Sequence, residues 1–363
     1  DNKRGVLFIT TGNPENYFIG VDRPGENEYT NSVIAIDIDK KKELWKFQET
    51  EHDIWNLDIP AAPILTTINY KNKKIDVVVA ITKLGNTLIF DIDTGLNLNK
   101  YINIETRSSN IKGEKSSKYQ KYFLEPENFS KNNFLPSDVF SFDKKEQETL
   151  KQFAKKSNFG IFPPFELNKK TILYNFHGGA EWTGASVDPV NGIMYVTANN
   201  IPWIGEIIKE TTFLKLNYRN KFKRFLTKDS YPASKPPWGT LSAINLNSQK
   251  LVWQVPLGDY PELIKSMIET TGTENFGGAT ATASGLIFVS GTLDKKIRAF
   301  KAINGEELWS FTLPNVGSAP PTIYKYNDEQ FIFIPATGGN TLSSGYPHLV
   351  KNSDHFIAFK IKN

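Results

Sequence analysis

The sequence contains no cysteine among its 363 residues. This absence excludes a disulfide framework, a thiolate zinc site and a thiol nucleophile. It also fits a protein of an oxidising compartment, although it does not by itself require one.

Long apolar runs are missing as well. None approaches the roughly 20 residues that a helix needs to span a bilayer. The first residues, DNKRGVLFITTGNP, also lack the charged and then apolar layout of a secretory signal. We therefore expect no membrane-spanning helix in this sequence, and we interpret the chain as either mature or lacking its natural beginning.

Positive charge is not concentrated on one face. The net charge of +4 comes mostly from lysines in loop-like strings such as NIKGEKSSKYQKY, where they do not alternate with aromatic residues. This pattern is typical of a solvated surface and argues against a nucleic-acid partner. What the sequence does have is 39% hydrophobic and 13% aromatic residues, enough for a large core or one long repeat architecture.

One hairpin template recurs along the chain. Each complete copy has alternating apolar residues, a polar turn and a second strand that ends in tryptophan, which predicts a β-hairpin. The complete copies are AIDIDKKKELW (residues 35–45), AINLNSQKLVW (residues 243–253) and AFKAINGEELW (residues 299–309). A fourth copy, IFDIDTGLNLN at residues 89–99, lacks the tryptophan, and a fifth, AFKIKN at residues 358–363, stops before the turn.

Short β-rich runs precede these hairpins, so each repeat is predicted to be a four-stranded antiparallel sheet. The runs are GVLFITTG, VVVAITKLG, GIMYVTANN, GLIFVSGT and FIFIPATGG. Sheets of this size that recur about every 40 to 60 residues predict an all-β fold of the β-propeller type. We expect about five blades in residues 1–363, with the tryptophan of each hairpin packed between neighbouring blades.

Residues 104–176 interrupt the repeat. They are rich in lysine, serine and asparagine, and they contain one predicted short helix near Lys144–Lys156. We interpret them as a long excursion over one face of the propeller. Five blades left as an arc would expose two sheet edges, which natural proteins avoid. We therefore expect further blades on the N-terminal side, supplied by the same chain or by another.

Several longer motifs resemble the pyrroloquinoline quinone (PQQ) dehydrogenases. In chain order they are TTGNP, RPGENEYTNSVIAIDIDKKKELWKFQ, HDIWNLDIPAAPIL, TKLGNTLIFDIDTG, GGAEWTGASVDP, NFGGATATASGLIFVSGTLDKKIRAF and ATGGN. Their order and spacing match that family along nearly the whole chain, apart from residues 104–176. The strings WGTLSAINLNSQKLVWQVPLG and DIPAAP are more similar to the membrane-bound glucose dehydrogenase branch than to methanol dehydrogenase.

The resemblance implies an eight-bladed propeller that holds PQQ and a divalent cation, calcium or magnesium, near its axis. It also implies a periplasmic enzyme that removes a hydride or its equivalent from an alcohol, polyol or aldose and passes electrons to a quinone or cytochrome. Attachment to a membrane would reside in a missing N-terminal segment. The family's stacking aromatic residue and metal-binding glutamate precede TTGNP, so this sequence does not include them.

The resemblance also assigns roles to individual residues. Asn13 in TTGNP matches an asparagine that ligates the cation, and hard cations prefer such oxygen ligands. Taken alone, Asn13 would fit a turn residue equally well. Lys83 in ITKLGN matches the basic residue that contacts the quinone oxygens, where a positive charge stabilises the reduced ring. The alternative for Lys83 is a solvated lysine at a strand end.

Four further residues come from matched motifs. Asn199 matches an asparagine that hydrogen-bonds the cofactor, and Phe276 matches a large side chain at the floor of the site. Both residues fit structural roles equally well, Asn199 in a turn and Phe276 in the core. Trp182 and Trp203 are interpreted as packing tryptophans rather than platforms for the cofactor.

The stretch EHDIWNLDIP bears most directly on catalysis. In relatives, the aspartate that follows the tryptophan ligates the metal and accepts the substrate's hydroxyl proton, and the matching residue here is Asn56. An amide oxygen can bind a cation, but an amide is not a general base near neutral pH. Asp58 would share a face with Asn56 in extended chain and is our candidate base. His52 and Asp53 are interpreted as residues that fix the turn.

The sequence thus predicts a PQQ-dependent dehydrogenase, with two rival hypotheses. One is a non-catalytic scaffold similar to the outer-membrane assembly propellers that share the tryptophan repeat. Those proteins lack the metal asparagine, the quinone lysine and the HDIW string. Because this sequence has all three, it favours the enzyme. The other rival is a degenerate quinoprotein that binds its cofactor without turnover, which Asn56 would explain.

Overall fold

The computed structural model of the chain describes residues 1–211, 216–266 and 270–360. In chain order its strands are β1 (Val6–Thr10), β2 (Ser32–Asp37), β3 (Lys42–Gln48), β4 (Ile64–Tyr70), β5 (Lys73–Ile81), β6 (Thr87–Asp91), β7 (Lys100–Glu105), β8 (Tyr119–Glu125), β9 (Asn158–Phe159), β10 (Thr171–Leu173), β11 (Ala185–Asp188), β12 (Ile193–Asn199), β13 (Trp203–Thr211), β14 (Leu216–Arg224), β15 (Gly239–Asn245), β16 (Lys250–Pro256), β17 (Ala279–Ala281), β18 (Leu286–Val289), β19 (Lys296–Lys301), β20 (Glu307–Thr312), β21 (Thr322–Tyr326), β22 (Glu329–Ala336) and β23 (His355–Lys360). Its helices are α1 (Lys144–Lys156), α2 (Pro261–Lys265) and α3 (Asn340–Gly345), with a 3-10 turn at Pro136–Asp138.

The strands pair into small sheets, nearly all of them antiparallel. The strand orders are β1-β2-β3, β4-β5-β6, β7-β8, β14-β13-β10-β9, β11-β12-β15-β16, β17-β18-β19-β20 and β21-β22-β23. The short β9–β10 pairing is parallel. No helix in the described ranges has both the length and the apolar character needed to cross a membrane.

The chain divides into two compact units. The first comprises Asp1–Leu65, Asp76–Gly179 and Asn200–Lys235, and the second comprises Thr66–Ile75, Ala180–Asn199 and Pro236–Asn363. In the first unit, buried side chains of β1, β2, β5 and β6 form one core around Trp45, and α1, β10 and β13 contribute to another. In the second unit, β12, β15, β18 and β19 supply a core.

The three tryptophan hairpins are confirmed, and they share one register. Each hairpin's first alanine pairs directly with its tryptophan, and the register shifts immediately after that alanine; the pairs are Ala35 with Trp45, Ala243 with Trp253 and Ala299 with Trp309. The tryptophan strands β3, β16 and β20 each lie at the end of their sheet. The repeated sequence therefore specifies the repeated pairing, because alternation along a strand fixes which residues face each other.

Two of the tryptophans pack on the turn of the following hairpin, as predicted. The ring of Trp45 lies against Gly95, and the ring of Trp253 lies against Gly305. A Cβ at either glycine would meet the indole ring at 2.4 Å or 2.7 Å respectively, and both glycines have positive φ angles of 70° and 73°. Each indole N–H also donates to a backbone carbonyl near that turn at 3.1 Å. Glycine is needed there because only it tolerates both the conformation and the close approach.

Some expectations about the repeat are wrong. Within the described residues, only two of the repeat sheets have the predicted four strands, because those containing β1, β5 and β22 have three. The second arm of the copy at residues 89–99 is reduced to a bridge between Phe90 and Asn97. The fifth copy lies in β23 up to Lys360, and its last residues, 361–363, lie outside the described residues.

The interrupting segment is partly as expected. Helix α1 spans the predicted residues, capped by the Asp143 carboxylate, which accepts from the backbone N–H groups of Lys145 and Glu146. The segment also supplies strands, since β8 pairs with β7, and β9 and β10 join the sheet of β13 and β14. The β13–β14 hairpin was not predicted, because its sequence carries neither the tryptophan ending nor a glycine turn.

Candidate functional site

The loop that follows β3 is organised by a buried carboxylate. Oδ1 of Asp53 accepts from Trp55 N at 2.6 Å, and Oδ2 accepts from Leu57 N at 2.7 Å and from Asn31 Nδ2 at 2.8 Å. Burial raises the pKa of Asp53, and these three donated hydrogen bonds oppose the rise. The side chain therefore acts as the centre of a tight turn, in agreement with its predicted role.

His52 is also held inside this loop. Its Nδ1 lies 2.6 Å from Gly25 O, and its Nε2 lies 2.7 Å from Oε1 of Glu114. Burial would raise the pKa of Glu114, but hydrogen bonds from His52 and from Gly20 N lower it. Since both ring nitrogens of His52 are engaged with its own unit, the structure supports the turn-fixing interpretation.

Asn56 lies within this turn rather than in extended chain. Its φ is 65°, so the argument that Asn56 and Asp58 share a face of an extended segment is wrong. The side chain is 8% exposed, and Nδ2 donates to Phe176 O at 2.8 Å. Oδ1 accepts no hydrogen bond from the part of the chain that the structure describes, so it remains available to a ligand.

Lys83 is brought directly to this loop. Its ammonium donates to Asn56 O at 3.2 Å and also to Oδ1 of Asp58. The Lys83 side chain is 10% exposed and that of Asp58 is 19% exposed, so the ion pair is largely shielded from water. Three of the predicted site residues, Asn56, Asp58 and Lys83, are therefore neighbours in the first unit, although they come from two separate loops.

A second segment, which contains His177 and Gly179, packs against the backbone of Lys83. Gly179 has a φ of 70°, and a Cβ built on it would lie 1.8 Å from Lys83 O, so no other residue fits there. His177, two residues earlier, lies between the rings of Phe176 and Trp203, with centroid distances of 4.8 and 4.7 Å. Burial lowers the pKa of His177 to about 4, with help from the positive charges of Lys83 and Arg224. His177 is therefore a neutral imidazole at neutral pH.

Asn13 is connected to Asn56, Asp58 and Lys83 indirectly. Its Nδ2 donates to Pro14 O at 2.9 Å, as a turn residue would, and its side chain is half-buried. Gly12, the residue before it, lines a cleft of about 410 Å³ together with Asp58 and the segment from Ile59 to Pro63. Gly12 O also accepts from Asn31 N at 3.0 Å, and the Asn31 side chain donates to Asp53. Asn13 is thus connected to the Asp53 turn through Asn31.

Asn199 and Phe276 lie in the second unit. Both donor hydrogens of Asn199 are used, toward Asn275 O at 2.8 Å and Glu181 Oε1 at 3.2 Å. Its Oδ1 accepts from Asn275 N at 2.8 Å and Asn275 Nδ2 at 3.1 Å. A contact from Asn199 to a cofactor stays a prediction, and it requires one of these bonds to be exchanged. Phe276 is buried beside Asn275, at 4% exposure.

The two further tryptophans differ. Trp203 is 5% exposed, in agreement with a packing role, and Arg224 lies over its ring at 4.7 Å. Trp182 is 58% exposed, so its interpretation as a packing residue of its own unit is wrong. The GGAEW string gave no signal of this difference, because an aromatic residue between polar neighbours is compatible with either environment.

Two titratable residues near the site were not singled out in the sequence. They are His177, which directly precedes the GGAEWTGASVDP motif, and Glu49, which follows β3 directly. Burial raises the pKa of Glu49 to about 7, against a hydrogen bond from Asn86. A polar residue directly after an amphipathic strand was the available signal for Glu49, but burial is not readable from that signal alone.

Glu49 and His177 are expected to give the folding stability opposite dependences on pH. Glu49 has a raised pKa, so its contribution is present below about 4.5 and is lost as pH rises to about 7. His177 has a depressed pKa, so its contribution is present above about 6.5 and is lost as pH falls to about 4. Each contribution is at most about 3 kcal/mol, at 1.36 kcal/mol for each unit of pKa.

Denaturant unfolding at several pH values would measure this pair of effects. We expect the stability of Glu49→Gln to rise with pH between about 4 and 6.5, where His177 acts alone, and that of His177→Gln to fall between about 4.5 and 7, where Glu49 acts alone. The wild type and the double variant should both have flatter profiles than the single variants, because the two contributions oppose each other in the wild type and are absent from the double variant. Parallel pH profiles for the two single variants would contradict the assignment.

Comparison with known proteins agrees with the motifs. A protein-family model described as "PQQ: Glucose/ethanol/alcohol dehydrogenase, beta-propeller domain" matches residues 1–332. Quinoprotein glucose dehydrogenase A of Acinetobacter calcoaceticus is 27% identical, over 99% of this chain and 48% of its own length. Quinate/shikimate dehydrogenase (quinone) of Acinetobacter baylyi is 28% identical, over 93% of this chain and 46% of its own length. The chain therefore spans about half the length of the curated relatives it matches.

Solved structures show the same fold. A quinohemoprotein alcohol dehydrogenase from Pseudomonas putida HK5 superposes with a TM-score of 0.68 at 20% identity, covering 99% of this chain and 47% of that one. The fold is therefore a β-propeller, as predicted, while the number of blades stays a prediction. With its family model matched over residues 1–332, the chain belongs to the PQQ-dependent glucose, ethanol and alcohol dehydrogenase family.

Proposed function

We propose that this chain contributes the quinone-binding half of a PQQ-dependent dehydrogenase that oxidises an alcohol, polyol or aldose. The acceptor of the electrons is a quinone or a cytochrome, and the location is the periplasm, as the family resemblance implies. The observation that carries the proposal is the shielded group formed by the Lys83 ammonium, the Asn56 backbone and the Asp58 carboxylate. It lies within motifs that match a dehydrogenase family.

The residues present fit an anionic quinone. Lys83 and Arg224 both place positive charge around His177, within the first unit. Asn175, one residue before Phe176, is 1% exposed, and its Nδ2 and Oδ1 have no hydrogen-bond partner among the described residues. A buried amide without partners is costly, so a ligand that supplies them would be stabilised. A ring that carries carboxylates and carbonyl oxygens offers acceptors for Asn175 Nδ2, whereas Oδ1 would need a donor.

The residues also fit a hard cation, although in part only. Asn56 Oδ1 has no partner in the described part of the chain, and the amide of Asn13 uses its nitrogen for Pro14 O. Amide oxygens are suitable ligands for calcium or magnesium. Among the described residues, no group of three or more His, Asp or Glu side chains could hold a metal. Asn13 and Asn56 would therefore hold the ion together with ligands from elsewhere.

When bound, PQQ supplies the two-electron acceptor for the substrate carbon. The role of Lys83 is to place a fixed positive charge where negative charge develops on the quinone oxygens, inside a shielded pocket. The role of Asp58 is to accept the proton of the substrate hydroxyl, because Asn56 cannot. Its side chain is 19% exposed and lines the cleft with Gly12, so a substrate can reach it.

Two observations favour the rival hypotheses of a scaffold or a degenerate quinoprotein. Asn56 stands where relatives carry the base, and Asp58 is already engaged by Lys83. This ion pair has to open before the carboxylate can take a proton from a substrate. A protein that binds the quinone without turnover would show both features.

The proposal is tested by loading the natural full-length protein with PQQ and calcium. We expect saturable quinone binding, followed by reduction of an artificial dye with at least one member of a panel of alcohols, polyols and aldoses. Protein treated with chelator and left without calcium is the control. Binding without dye reduction would establish the degenerate quinoprotein, and absence of binding would establish the scaffold.

A further inference from the structure

Glu49 is a buried acid that the proposed chemistry does not use. Its side chain is 1% exposed, and Oε1 accepts from Asn86 Nδ2 at 2.6 Å. Oε2 has no donor within hydrogen-bonding distance in the described part of the chain. One carboxylate oxygen is thus satisfied by a single amide, and the other is left without a partner, which is unfavourable for an ionised carboxylate.

Asn86 closes the loop that carries Lys83. Thr82 N donates to Asn86 O at 3.1 Å, Gly85 N donates to Thr82 O at 2.9 Å, and Asn86 N donates to Thr82 Oγ1 at 3.3 Å. The Asn86 Oδ1 also accepts from Asn128 Nδ2. Residues 82–86 therefore form one tight turn, so a displacement of Asn86 displaces Lys83 with it.

Glu49 is connected to the opposite side of the Lys83 ion pair as well. Its backbone N–H donates to Asn31 O at 2.9 Å, and Asn31 Nδ2 donates to Asp53, the centre of the turn that presents Asn56 and Asp58. Glu49 is therefore connected to both loops, through Asn86 on one side and through Asn31 on the other. In the described ranges, the two loops are otherwise joined directly only by the bonds from Lys83 to Asn56 O and Asp58.

We propose that Glu49 is a positioning residue whose neutral form holds the Lys83 loop against the Asp53 turn, and whose ionisation loosens that contact. As far as it concerns the quinone, this inference rests on the proposed function. The held geometry places the Lys83 ammonium for its contacts with Asn56 O and Asp58. When this geometry is lost, the same residues remain but are less well oriented.

The charged groups around Glu49 set the direction of the effect. Burial raises its pKa to about 7 and the negative charge of Asp53 contributes to the rise, while Asn86, the Thr82 hydroxyl and the positive charge of Lys121 oppose it. Lys121 itself is paired with Glu51 at 2.8 Å. The carboxyl is therefore mostly neutral at about pH 6 and mostly ionised at about pH 8, where the cost of a buried charge with few donors favours entry of water and loosening of the Asn86 contact.

The reactivity of Lys83 in the protein without quinone tests the positioning role by itself. Acylation of lysines by an amine reagent would be mapped by mass spectrometry at about pH 6 and pH 8, with Lys83 normalised to exposed lysines of the same chain. We expect the normalised labelling of Lys83 to rise about tenfold. This is the factor expected if the pKa of Glu49 differs by about one unit between the held and the loosened arrangement of the two loops.

Glu49→Gln keeps an acceptor for Asn86 but cannot ionise, so its labelling of Lys83 should stay low at both pH values. Glu43→Gln is the matched control, because Glu43 is exposed on the preceding strand and should behave like the wild type. If Glu49→Gln does not fold, Asn86→Ala should give at about pH 6 the labelling that the wild type reaches at about pH 8. A flat wild-type profile, or equal profiles for wild type and Glu49→Gln, would overturn the proposal.

Titration with PQQ separates this inference from the proposed function. We expect wild-type affinity to fall about tenfold between pH 6 and 8, and the affinity of Glu49→Gln to stay constant. If the wild type does not bind the quinone while Lys83 labelling behaves as described, the proposed function fails and the positioning role stands. If the quinone binds and both proteins share one pH profile, the positioning role is wrong and the proposed function stands.

Discussion

Replacement of Lys83 by methionine is expected to lower the turnover of the quinone-loaded protein about a hundred- to a thousandfold. Methionine keeps the length and much of the volume of the side chain but removes the positive charge beside Asp58 and the Asn56 carbonyl. Removal of one preorganised donor to a developing negative charge typically has an effect of about this size. Steady-state dye reduction with a saturating substrate measures it.

The matched control is Lys118→Met. Lys118 is an exposed lysine whose only ion pair, among those of the described residues, is with Glu105 at 3.9 Å. It should retain the turnover of the wild type, because exposed ion pairs of this kind contribute little. A loss of turnover in Lys83→Met no larger than in Lys118→Met would mean that Lys83 is a structural lysine, the alternative that the sequence left open.

Asp58→Asn is expected to reduce turnover about a hundred- to ten-thousandfold while quinone affinity changes little. The substitution preserves the shape of the side chain and removes its ability to accept a proton. Asn56→Asp is expected to raise turnover, because it adds a base and a negative metal ligand at the position where relatives carry them. Turnover and quinone affinity should be measured on the same preparations, so that loss of cofactor is separated from loss of chemistry.

The two substitutions at these positions discriminate between the hypotheses. If wild type, Asp58→Asn and Asn56→Asp are all inactive with every alcohol, polyol and aldose tried, the binding-module hypothesis replaces the enzyme. If Asn56→Asp alone is active, the natural chain is a degenerate quinoprotein that has lost its base. In combination with Lys83→Met, Asp58→Asn should be less than additive, since the two side chains contact each other.

The repeat was predictable because it is local. Alternation, a polar turn and a closing tryptophan specify each hairpin within about a dozen residues, and the structure pairs Ala35 with Trp45 and Ala243 with Trp253 in the same way. The number of strands in each sheet was not predictable by the same rule. Whether an outer strand forms depends on what is available to pair with it, which the template does not state.

The candidate site was predictable in part. Lys83, Asn56 and Asp58 were identified from motifs, and the structure brings them together through the turn around Asp53. The predicted extended conformation of this segment is wrong, because Asn56 has a positive φ. An Asx-type turn of this kind depends on hydrogen bonds from Trp55 N, Leu57 N and the Asn31 side chain, and the pattern of apolar and polar residues does not report them.

The sequence by itself determined the hairpin repeat, the identity of the chemical groups and the family to which they belong, because these are carried by neighbouring residues and their spacing. Only the tertiary structure decided which groups are buried, and therefore which are neutral. Glu49 meets Asn86, and Phe176 meets Asn56, across long stretches of chain. Burial removes water from Glu49 and from His177, which disfavours the charged form of each and moves the pKa of an acid upward and that of a base downward.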